Sequence, residues 1–237
     1  MGNKHLDIKK NMSFKNNLKF IICGTDTDVG KTLISSFFVR GLQSFYWKPI
    51  QSGIETETDS QSILRLSGIN KVKILKEAYI FNTPVSPHWA AEIDKKKIDI
   101  KSLDLPSIDG SLVVETAGGL MVPITRNYLQ IEQIKRWNLP VIIVCRSSLG
   151  TLNHTLLSIE ALKKRNITIL GLIINGNKHL DNPKTLHEFS KLPIIAEFPK
   201  LINVDKNNLD RLWQELNIEK NLESILNSAK LDERTTQ

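Results

Sequence analysis

The nine residues Gly24–Thr32, with the sequence GTDTDVGKT, combine two glycines, a lysine and a threonine hydroxyl at a suggestive spacing. They follow the short apolar run Phe20–Cys23, so the sequence predicts a strand that leads through a tight turn into a helix. In such a turn, glycines let backbone N–H groups approach phosphate oxygens. Lys31 would reach the β- and γ-phosphates, and the Thr32 hydroxyl would bind Mg²⁺. The segment therefore predicts a nucleoside triphosphate site, although one extra residue separates its glycines relative to the standard spacing.

Two charged residues follow other apolar runs and are candidates for chemistry at the same site. Glu115 follows Leu112–Val114, and a carboxylate at the end of a buried strand needs a neutralising partner, for which Mg²⁺ on a nucleotide is suitable. Lys48 follows Phe45–Trp47, and Pro49 holds it extended, so that its ammonium could approach a transferred phosphate. Solvated surface positions are the alternatives for both residues.

Two further polar residues have more than one interpretation. Asp59 opens a predicted helix, where aspartate is a common N-cap, and taken alone this favours the cap. Asn175 follows the run Ile167–Ile174 and could read a purine edge, but Asn175-Gly176 is also typical of a tight turn. Spacing alone leaves that choice open.

The elements that would position these residues form an α/β fold. Short apolar runs alternate with helix-length segments, which predicts a mostly parallel sheet with helices on both faces. Ligands of such sheets lie beyond the carboxyl ends of the strands, where the polar residues above are found. The predicted strands are Phe20–Cys23, Phe45–Trp47, Leu112–Val114, Val141–Cys145, Ile167–Ile174 and Ile194–Ala196. The predicted helices are Lys31–Gly41, Asp59–Leu66, Ile131–Trp137, Asn153–Arg165, Lys184–Lys191 and Leu209–Leu226, and the stretch Lys71–Gly110 has no clear period.

Length and composition limit the class of protein. The 237 residues fit one catalytic domain over residues 19–237, preceded by a Lys/Asn-rich flexible arm over residues 1–18. The formal charge of +7 is scattered and not interleaved with aromatic residues, so we expect no nucleic-acid partner. No apolar run approaches the roughly 20 residues of a membrane span, and no signal peptide is visible, so we expect a cytoplasmic protein without a membrane partner. Cys23 and Cys145 are predicted to be buried thiols.

Four ordered motifs resemble those of the dethiobiotin synthetase family. The family pattern GTDT-[ED]-VGKT, with the same lengthened loop, is found at Gly24–Thr32, and K-P-[VI]-x-S-G is found at Lys48–Gly53. The pattern E-x-A-G-G-x-x-V-P is found at Glu115–Pro123. The longest pattern, L-G-T-[LI]-N-H-T-L-L-[ST]-x-E-A-L, is found at Leu149–Leu162. The resemblance spans residues 19–201.

The resemblance implies a P-loop NTPase fold and an ATP-dependent ligase of biotin synthesis that uses Mg²⁺. In that reaction, CO₂ or bicarbonate supplies the carbon that joins an amine of 7,8-diaminopelargonic acid (7,8-diaminononanoate) as a carbamate. ATP phosphorylates the carbamate to a carbamic-phosphoric anhydride, and the second amine displaces phosphate to close the ring of dethiobiotin. The family also implies a homodimer with active sites at its interface.

The resemblance also assigns residues. Lys48 and Lys31 would be catalytic, and Thr32, Asp59 and Glu115 would bind the metal, which overrides the cap interpretation of Asp59. The substrate would contact Thr27, Ser52, Leu149, Gly150, Thr151, Leu152 and Asn153, the last five as a helix N-terminus that binds its carboxylate. The nucleotide would contact Asp28, Val29, Gly30, Lys31, Thr32, Leu33, Asp59, Glu115, Thr116, Ala117, Gly118, Asn175, Gly176, Pro199, Lys200 and Leu201.

The sequence differs from the family pattern at a few positions, and two other classes of protein are alternatives. Thr116 stands where the family usually has glycine and is expected to crowd the backbone beside Glu115, while Asp28 replaces a longer glutamate. The segment after Pro199 matches the usual purine-contacting tail poorly, which leaves the nucleotide preference open. One rival is a partition or site-placement ATPase, whose loop usually has a lysine where this chain has Thr25. The other, an amidotransferase-type ligase, would need a glutamine-hydrolysing domain that 237 residues cannot hold.

Overall fold

Within residues 17–54 and 56–235, which the computed structural model describes, seven parallel strands form one central sheet. In chain order the strands are β1 (Lys19–Gly24), β2 (Phe45–Trp47), β3 (Ile50–Ser52), β4 (Ile74–Leu75), β5 (Tyr79–Phe81), β6 (Leu112–Gly119), β7 (Pro123–Thr125), β8 (Tyr128–Leu129), β9 (Val141–Arg146), β10 (Ile169–Asn175) and β11 (Ile194–Phe198). The sheet order is β11-β10-β9-β1-β6-β2-β4. Separately, β3 pairs with β5 in parallel, and β7 pairs with β8 antiparallel.

Helices cover both faces of this sheet, as the alternation of apolar runs predicts. They are α1 (Lys31–Leu42), α2 (Asp59–Ser67), α3 (Pro87–Ile93), α4 (Gln130–Trp137), α5 (Thr151–Lys163), α6 (Asn182–Ser190), α7 (Lys206–Glu215) and α8 (Ile218–Thr235). One apolar cluster joins the sheet to α1, α2, α7 and α8, and a second joins its other face to α4, α5 and α6. Along β1, Phe20 and Ile22 enter the first cluster while Ile21 and Cys23 enter the second. This period of two is expected for a strand covered on both sides. The α/β class is confirmed.

The strand β6 is longer than predicted. The apolar run ends at Val114, but pairing with β1 continues from Ile22 opposite Glu115 to Gly24 opposite Gly119. Backbone pairing to a central neighbour keeps these residues extended even though they lack an apolar pattern. Glu115 therefore lies within a buried strand and not at its end.

The unassigned stretch from Lys71 to Gly110 contains two short strands and one helix. Ile74–Leu75 adds β4 to the edge of the sheet beside β2, and Tyr79–Phe81 forms β5. Short 3-10 helices span Lys71–Lys73 and Ile100–Leu103. The helix α3 begins at Pro87, a favoured first helical residue because its missing N–H needs no partner there. A small third apolar cluster packs β5, α3 and the second 3-10 helix together with β3 and β7.

Gly41 does not end the first helix, contrary to the prediction. The helix α1 ends at Leu42, and the C-cap residue Gln43 has a left-handed φ of 51°. Gly41 instead makes room for Trp213 of α7, since a Cβ at position 41 would lie 2.2 Å from the indole ring. The glycine therefore serves helix packing.

The last predicted helix, Leu209–Leu226, is two helices. The helix α7 begins at Lys206 and ends at Glu215, and α8 begins at Ile218. Asn217 lies between them with a φ of 50°, which interrupts the helical path. Both helices pack on the first apolar cluster, so their apolar residues form one continuous pattern in the sequence. The pattern therefore did not indicate the break between the helices.

The ends of the chain are described in part. Of the predicted arm, residues 1–16 lie outside the described residues, whereas Leu18 is buried and its N–H donates to Ser111 Oγ at 2.8 Å. No helix in the described part of the chain is long and apolar enough to cross a membrane.

Candidate active site

The segment Gly24–Thr32 connects β1 to α1, as predicted. Gly30 has a φ of 95°, and a Cβ there would lie 2.1 Å from Asn175 Nδ2, so only glycine fits. Asp28 also has a positive φ, of 52°. Aspartate tolerates this conformation better than most residues with longer side chains. The departure from glutamate at position 28 is therefore compatible with the shape of the loop.

Lys31 is buried at the start of α1, with its side chain turned back over the loop. Its Nζ donates to the backbone oxygen of Asp26 at 2.8 Å. Burial lowers the pKa of Lys31, and the nearby Glu115 carboxylate partly offsets this effect. Asp26 also accepts a hydrogen bond from Arg146 Nη2 at 2.8 Å, which ties the loop to the end of β9.

Lys48, Asp59 and Glu115 form a charged cluster beside the loop. The Lys48 ammonium lies 3.1 Å from Glu115 Oε1 and is also paired with Asp59 Oδ2. Burial alone would lower the pKa of Lys48, but the two carboxylates raise it above its ordinary value. Burial alone would raise the pKa of Asp59, yet Lys48 and the Thr32 hydroxyl hold it below its ordinary value. Lysine is therefore protonated and aspartate ionised near neutral pH.

Asp59 is not the N-cap of α2, so the cap interpretation is wrong. Thr58 occupies that position, and its side chain accepts from Gln61 N–H at 3.3 Å while Gln61 Oε1 accepts from Thr58 N–H at 2.8 Å. This reciprocal pair satisfies the start of the helix. It leaves the Asp59 carboxylate free to face Lys48 and Thr32.

Three oxygen atoms suited to binding a metal ion meet at Thr32. Its Oγ1 lies 2.6 Å from Asp59 Oδ1 and 2.9 Å from Glu115 Oε1. A hydroxyl has one hydrogen and can donate to only one of these carboxylates. A hydroxyl and two carboxylates are the hard donors that Mg²⁺ prefers beside nucleotide phosphates. The residues therefore fit a magnesium ion, although the described residues contain no group of three or more His, Cys, Asp or Glu placed to hold a metal.

Tyr46 is a contact of this cluster that sequence analysis missed. It is fully buried in β2, and its hydroxyl donates to Glu115 Oε2 at 3.0 Å. Burial, followed by the Glu115 charge, raises the pKa of Tyr46 well above its ordinary value, so the hydroxyl remains a donor. The only available signal was its position two residues before Lys48, which places both side chains on one face of an extended strand.

A cleft of about 550 Å³ opens over the loop and this cluster. Ser52 lines it, and its hydroxyl is buried without a hydrogen-bond partner in the described part of the chain. Such a group is suited to a ligand that supplies the missing partner. The predicted residues that line the cleft are Thr27, Asp28, Gly30, Lys31, Thr32, Lys48, Ser52, Asp59, Glu115, Ala117 and Gly118, joined by Gln51, Val122 and residues 84–87.

Several predicted nucleotide contacts lie outside this lining. Leu33 packs against the first apolar cluster, and Val29 is buried. Thr116 is also buried, and its Oγ1 lies 3.4 Å from the Gly118 oxygen. Asn175 Nδ2 donates to Val29 O at 2.9 Å, and Gly176 N–H donates to Phe198 O at 2.9 Å. Asn175 therefore fastens the phosphate loop to β10.

The predicted carboxylate site and base-side tail are exposed only in part. Leu149 is 101% exposed, Gly150 has a φ of 92°, and Asn153 is exposed on the first turn of α5. That helix begins at Thr151, two residues before its predicted start, with Thr151 buried and Leu152 packed on the second apolar cluster. Pro199 and Lys200 are exposed after β11, whereas Leu201 packs on the first cluster. None of these residues lines the cleft.

The fold and the site define a class of protein. A family model described as an AAA domain matches residues 19–208. Together with the parallel sheet and the loop between β1 and α1, this match makes the chain a P-loop nucleotide-binding protein.

Comparison with curated relatives gives the family. The chain is 48% identical over 189 residues to the ATP-dependent dethiobiotin synthetase BioD of Rhodopseudomonas palustris strain HaA2, covering 80% of this chain and 89% of the relative. It is 44% identical over 199 residues to the enzyme of the same name from Brucella anthropi, covering 84% and 94%. The chain belongs to the ATP-dependent dethiobiotin synthetase family, whose members are ligases.

Solved structures with a similar chain path include ParA proteins. The pNOB8 ParA bound to nonspecific DNA has a TM-score of 0.49 at 12% identity, covering 90% of this chain and 99% of that one. The ParA family ATPase from Chlorobium tepidum TLS has a TM-score of 0.43 at 12% identity, covering 91% and 93%. Similarity at this level carries no argument about activity.

Proposed function

We propose that this chain converts 7,8-diaminopelargonic acid, CO₂ and ATP into dethiobiotin, ADP and phosphate, as a step of biotin synthesis. Family membership supports the reaction. The observation that carries the assignment to this cleft is the meeting of two buried lysines, two carboxylates and the Thr32 hydroxyl beside the phosphate loop. This set has the charges that phosphoryl transfer needs, and little covalent chemistry remains for the protein to supply.

The reaction proceeds in three steps. One amine of the substrate attacks CO₂, forming an N–C bond and releasing a proton to give a carbamate. A carbamate oxygen attacks the γ-phosphorus of ATP, and ADP leaves with the electrons of the broken P–O bond. The second amine then attacks the carbon of the carbamic-phosphoric anhydride, phosphate leaves, and the loss of a second proton completes the ring.

Lys48 and Ser52 act on the carbamate in this proposal. The Lys48 ammonium is protonated and reaches the cleft, so it stabilises the negative charge of the carbamate and of the phosphoryl group during transfer. The unpartnered Ser52 hydroxyl holds the carbamate or the diamine. Thr27 and Asp28, at the mouth of the cleft, face the diamine and the triphosphate.

Lys31 and the loop backbone bind the triphosphate. Lys31 exchanges its bond to the Asp26 oxygen for a β- or γ-phosphate oxygen, and N–H groups of the loop donate to the remaining phosphate oxygens. Thr32, Asp59 and Glu115 are the residues that would hold Mg²⁺, which neutralises phosphate charge when bound. Near the carboxyl ends of β10 and β11, residues 175–176 and 199–201 form the side nearest the nucleotide base.

We also propose how the chain is assembled and where it works. Residues 19–237 form a single catalytic domain, and two copies of it associate as a homodimer in the cytoplasm. The exposed start of α5 in each subunit binds the tail carboxylate of a substrate held in the partner's cleft. Two features support this: Leu149 is fully exposed, and a helix N-terminus attracts anions.

The test is incubation of the purified full chain with the diamine, bicarbonate and Mg-ATP. The expected result is dethiobiotin and ADP in equal amounts, with ADP release dependent on the diamine. ATP hydrolysis that DNA stimulates and the diamine does not would contradict the proposal and favour a partition ATPase. Omitting bicarbonate is the matched control, since phosphorylation requires the carbamate.

A further inference from the structure

The two oxygens of the Glu115 carboxylate have different partners. Oε1 faces the reactive side of the cleft, where it lies 2.9 Å from Thr32 Oγ1 and 3.1 Å from Lys48 Nζ. Oε2 faces the interior, where the hydroxyl of Tyr46 donates to it at 3.0 Å. Within the described part of the chain, no other hydrogen bond to Oε2 is found. The orientation of the carboxylate is therefore set from behind by one phenol.

Burial makes this contact matter. Both Tyr46 and Glu115 are 0% exposed, so water does not replace the phenol if it is removed. A buried carboxylate oxygen without a donor is costly, and the side chain would turn to share the donors on its other side. Those donors are Thr32 and Lys48, the groups assigned above to the metal and the carbamate. A turn of Glu115 would therefore disturb both assignments together.

The position of Tyr46 is fixed independently of this hydrogen bond. Tyr46 pairs in register with Val113 of β6 and Ile74 of β4, and its side chain lies in the first apolar cluster. Lys48 is the first residue after β2 and lies two residues beyond Tyr46, and its ammonium lies near Oε1 while the Tyr46 hydroxyl donates to Oε2. The aromatic ring is held by the core, and only its hydroxyl reaches the site.

We propose that Tyr46 is a positioning residue, whose hydroxyl fixes the Glu115 carboxylate so that Oε1 stays directed at Thr32 and Lys48. The inference rests on the proposed function only for the identity of the reaction. Its physical content is the orientation of a metal-binding carboxylate, of the kind by which hydrogen bonds behind a ligand tune a metal site.

The first test uses the full-length Tyr46→Phe variant, which keeps the ring and removes the hydroxyl. Tyr128→Phe is the matched control, because the Tyr128 hydroxyl also donates to a side-chain oxygen, that of Gln133 at 3.3 Å, outside the cleft. Mn²⁺ binding in the presence of a non-hydrolysable ATP analogue is measured by electron paramagnetic resonance. We expect Mn²⁺ to bind about tenfold more weakly to Tyr46→Phe and unchanged to Tyr128→Phe. Wild-type Mn²⁺ binding and turnover in a folded Tyr46→Phe would overturn the proposal.

A double-mutant cycle separates positioning from a general structural effect. In a Glu115→Gln background, Tyr46→Phe should have little further effect on Mn²⁺ binding, because both changes act through the same carboxylate. Equal effects in both backgrounds would mean that the phenol acts elsewhere. If Tyr46→Phe does not fold, a crystal structure of the wild-type chain with ADP and Mn²⁺ decides: Glu115 must keep its bond to Tyr46 while Oε1 faces the ion.

The outcomes also distinguish this inference from the proposed function. A wild-type chain that makes no dethiobiotin but loses Mn²⁺ affinity on Tyr46→Phe would refute the reaction and keep the positioning role. If the wild type makes dethiobiotin, and Tyr46→Phe has the same rate and the same Mn²⁺ affinity, the reaction is supported and the positioning role is refuted.

Discussion

Two regions at the carboxyl edge of the sheet differ in how complete they are. Around the phosphate loop, Lys31, Lys48, Asp59 and Glu115 are bonded to partners within this chain and are largely withdrawn from solvent. At the start of α5, by contrast, Leu149 is fully exposed, and a Cβ at Gly150 would meet nothing within 4 Å. The first region is assembled by one chain, whereas the second presents a surface that a second subunit and its substrate could complete. Substitutions in the two regions should therefore have different consequences.

The largest effect is expected from removing the ammonium of the first region. Lys48→Ala should lower turnover about 100-fold or more, because it removes a charge that stabilises the transferred phosphoryl group. ADP binding, measured by calorimetry, should stay close to wild type, since Lys31 and the loop N–H groups remain. Lys97→Ala, a substitution of an exposed lysine, is the control for loss of charge alone. Turnover near wild type would remove Lys48 from the catalytic assignment.

The packing of α1, the helix that carries Lys31 and Thr32, can be tested at Gly41. Alanine in a helix interior normally stabilises relative to glycine by about 1 kcal/mol. Here the sign should reverse, with Gly41→Ala lowering the free energy of unfolding by about 1–3 kcal/mol, because the added methyl overlaps the Trp213 ring. Urea unfolding measures the change. In a Trp213→Leu background the penalty should disappear, and its persistence there would show that Gly41 matters for another reason.

The second region can be tested by charge at Gly150. Gly150→Asp should raise the KM for the diamine about tenfold over Gly150→Asn, since only the aspartate repels the substrate's carboxylate while both strain the backbone alike. The KM for ATP should be the same in both variants. Equal diamine KM values would place the carboxylate site elsewhere.

Mixing subunits sharpens the comparison between the regions. If the chain forms the proposed homodimer, a mixture of Lys48→Ala and Gly150→Asp chains, assayed at low diamine concentration, should regain up to about a quarter of wild-type activity. Half of such dimers would be mixed, and each mixed dimer would have one intact site. No recovery after subunit exchange would mean that each site lies within one chain.

The smallest effect concerns pH and the thiol beneath the loop. Burial raises the pKa of the Cys23 thiol from 9.0 to about 12. As the pH rises, the unfolded chain therefore loses this proton before the folded chain does. The contribution of Cys23 to the free energy of unfolding is fully present below pH 9 and is lost as the pH rises toward 12. Wild type should lose about 1 kcal/mol more than Cys23→Ala between pH 9 and pH 10 in urea unfolding. Parallel losses in the two proteins would mean that Cys23 is solvated.

Sequence patterns predicted the parallel sheet, both helical layers and the phosphate loop, because apolar periodicity and glycine spacing are local signals. They did not predict that Thr58 would cap α2 in place of Asp59, since both residue types suit a cap. The ion pair between Asp59 and Lys48 distinguishes the two residues, and it is visible only in the structure. The bond from Asn175 to Val29 joins positions 146 residues apart, and no short motif encodes such a contact. Tyr46 was missed for the same reason, because its hydroxyl matters only once β2 lies beside β6.

The balance of charge in the cleft also affects whether the chain needs a metal ion to fold. Two ammonium groups and two carboxylates lie in or beside the same buried cluster, so their mutual attraction offsets part of the cost of withdrawing them from water. A zinc finger folds only around its ion, whereas these side chains are held by contacts within the chain, so we expect the fold to form without magnesium. A chelator should then silence the enzyme while leaving its melting curve in place.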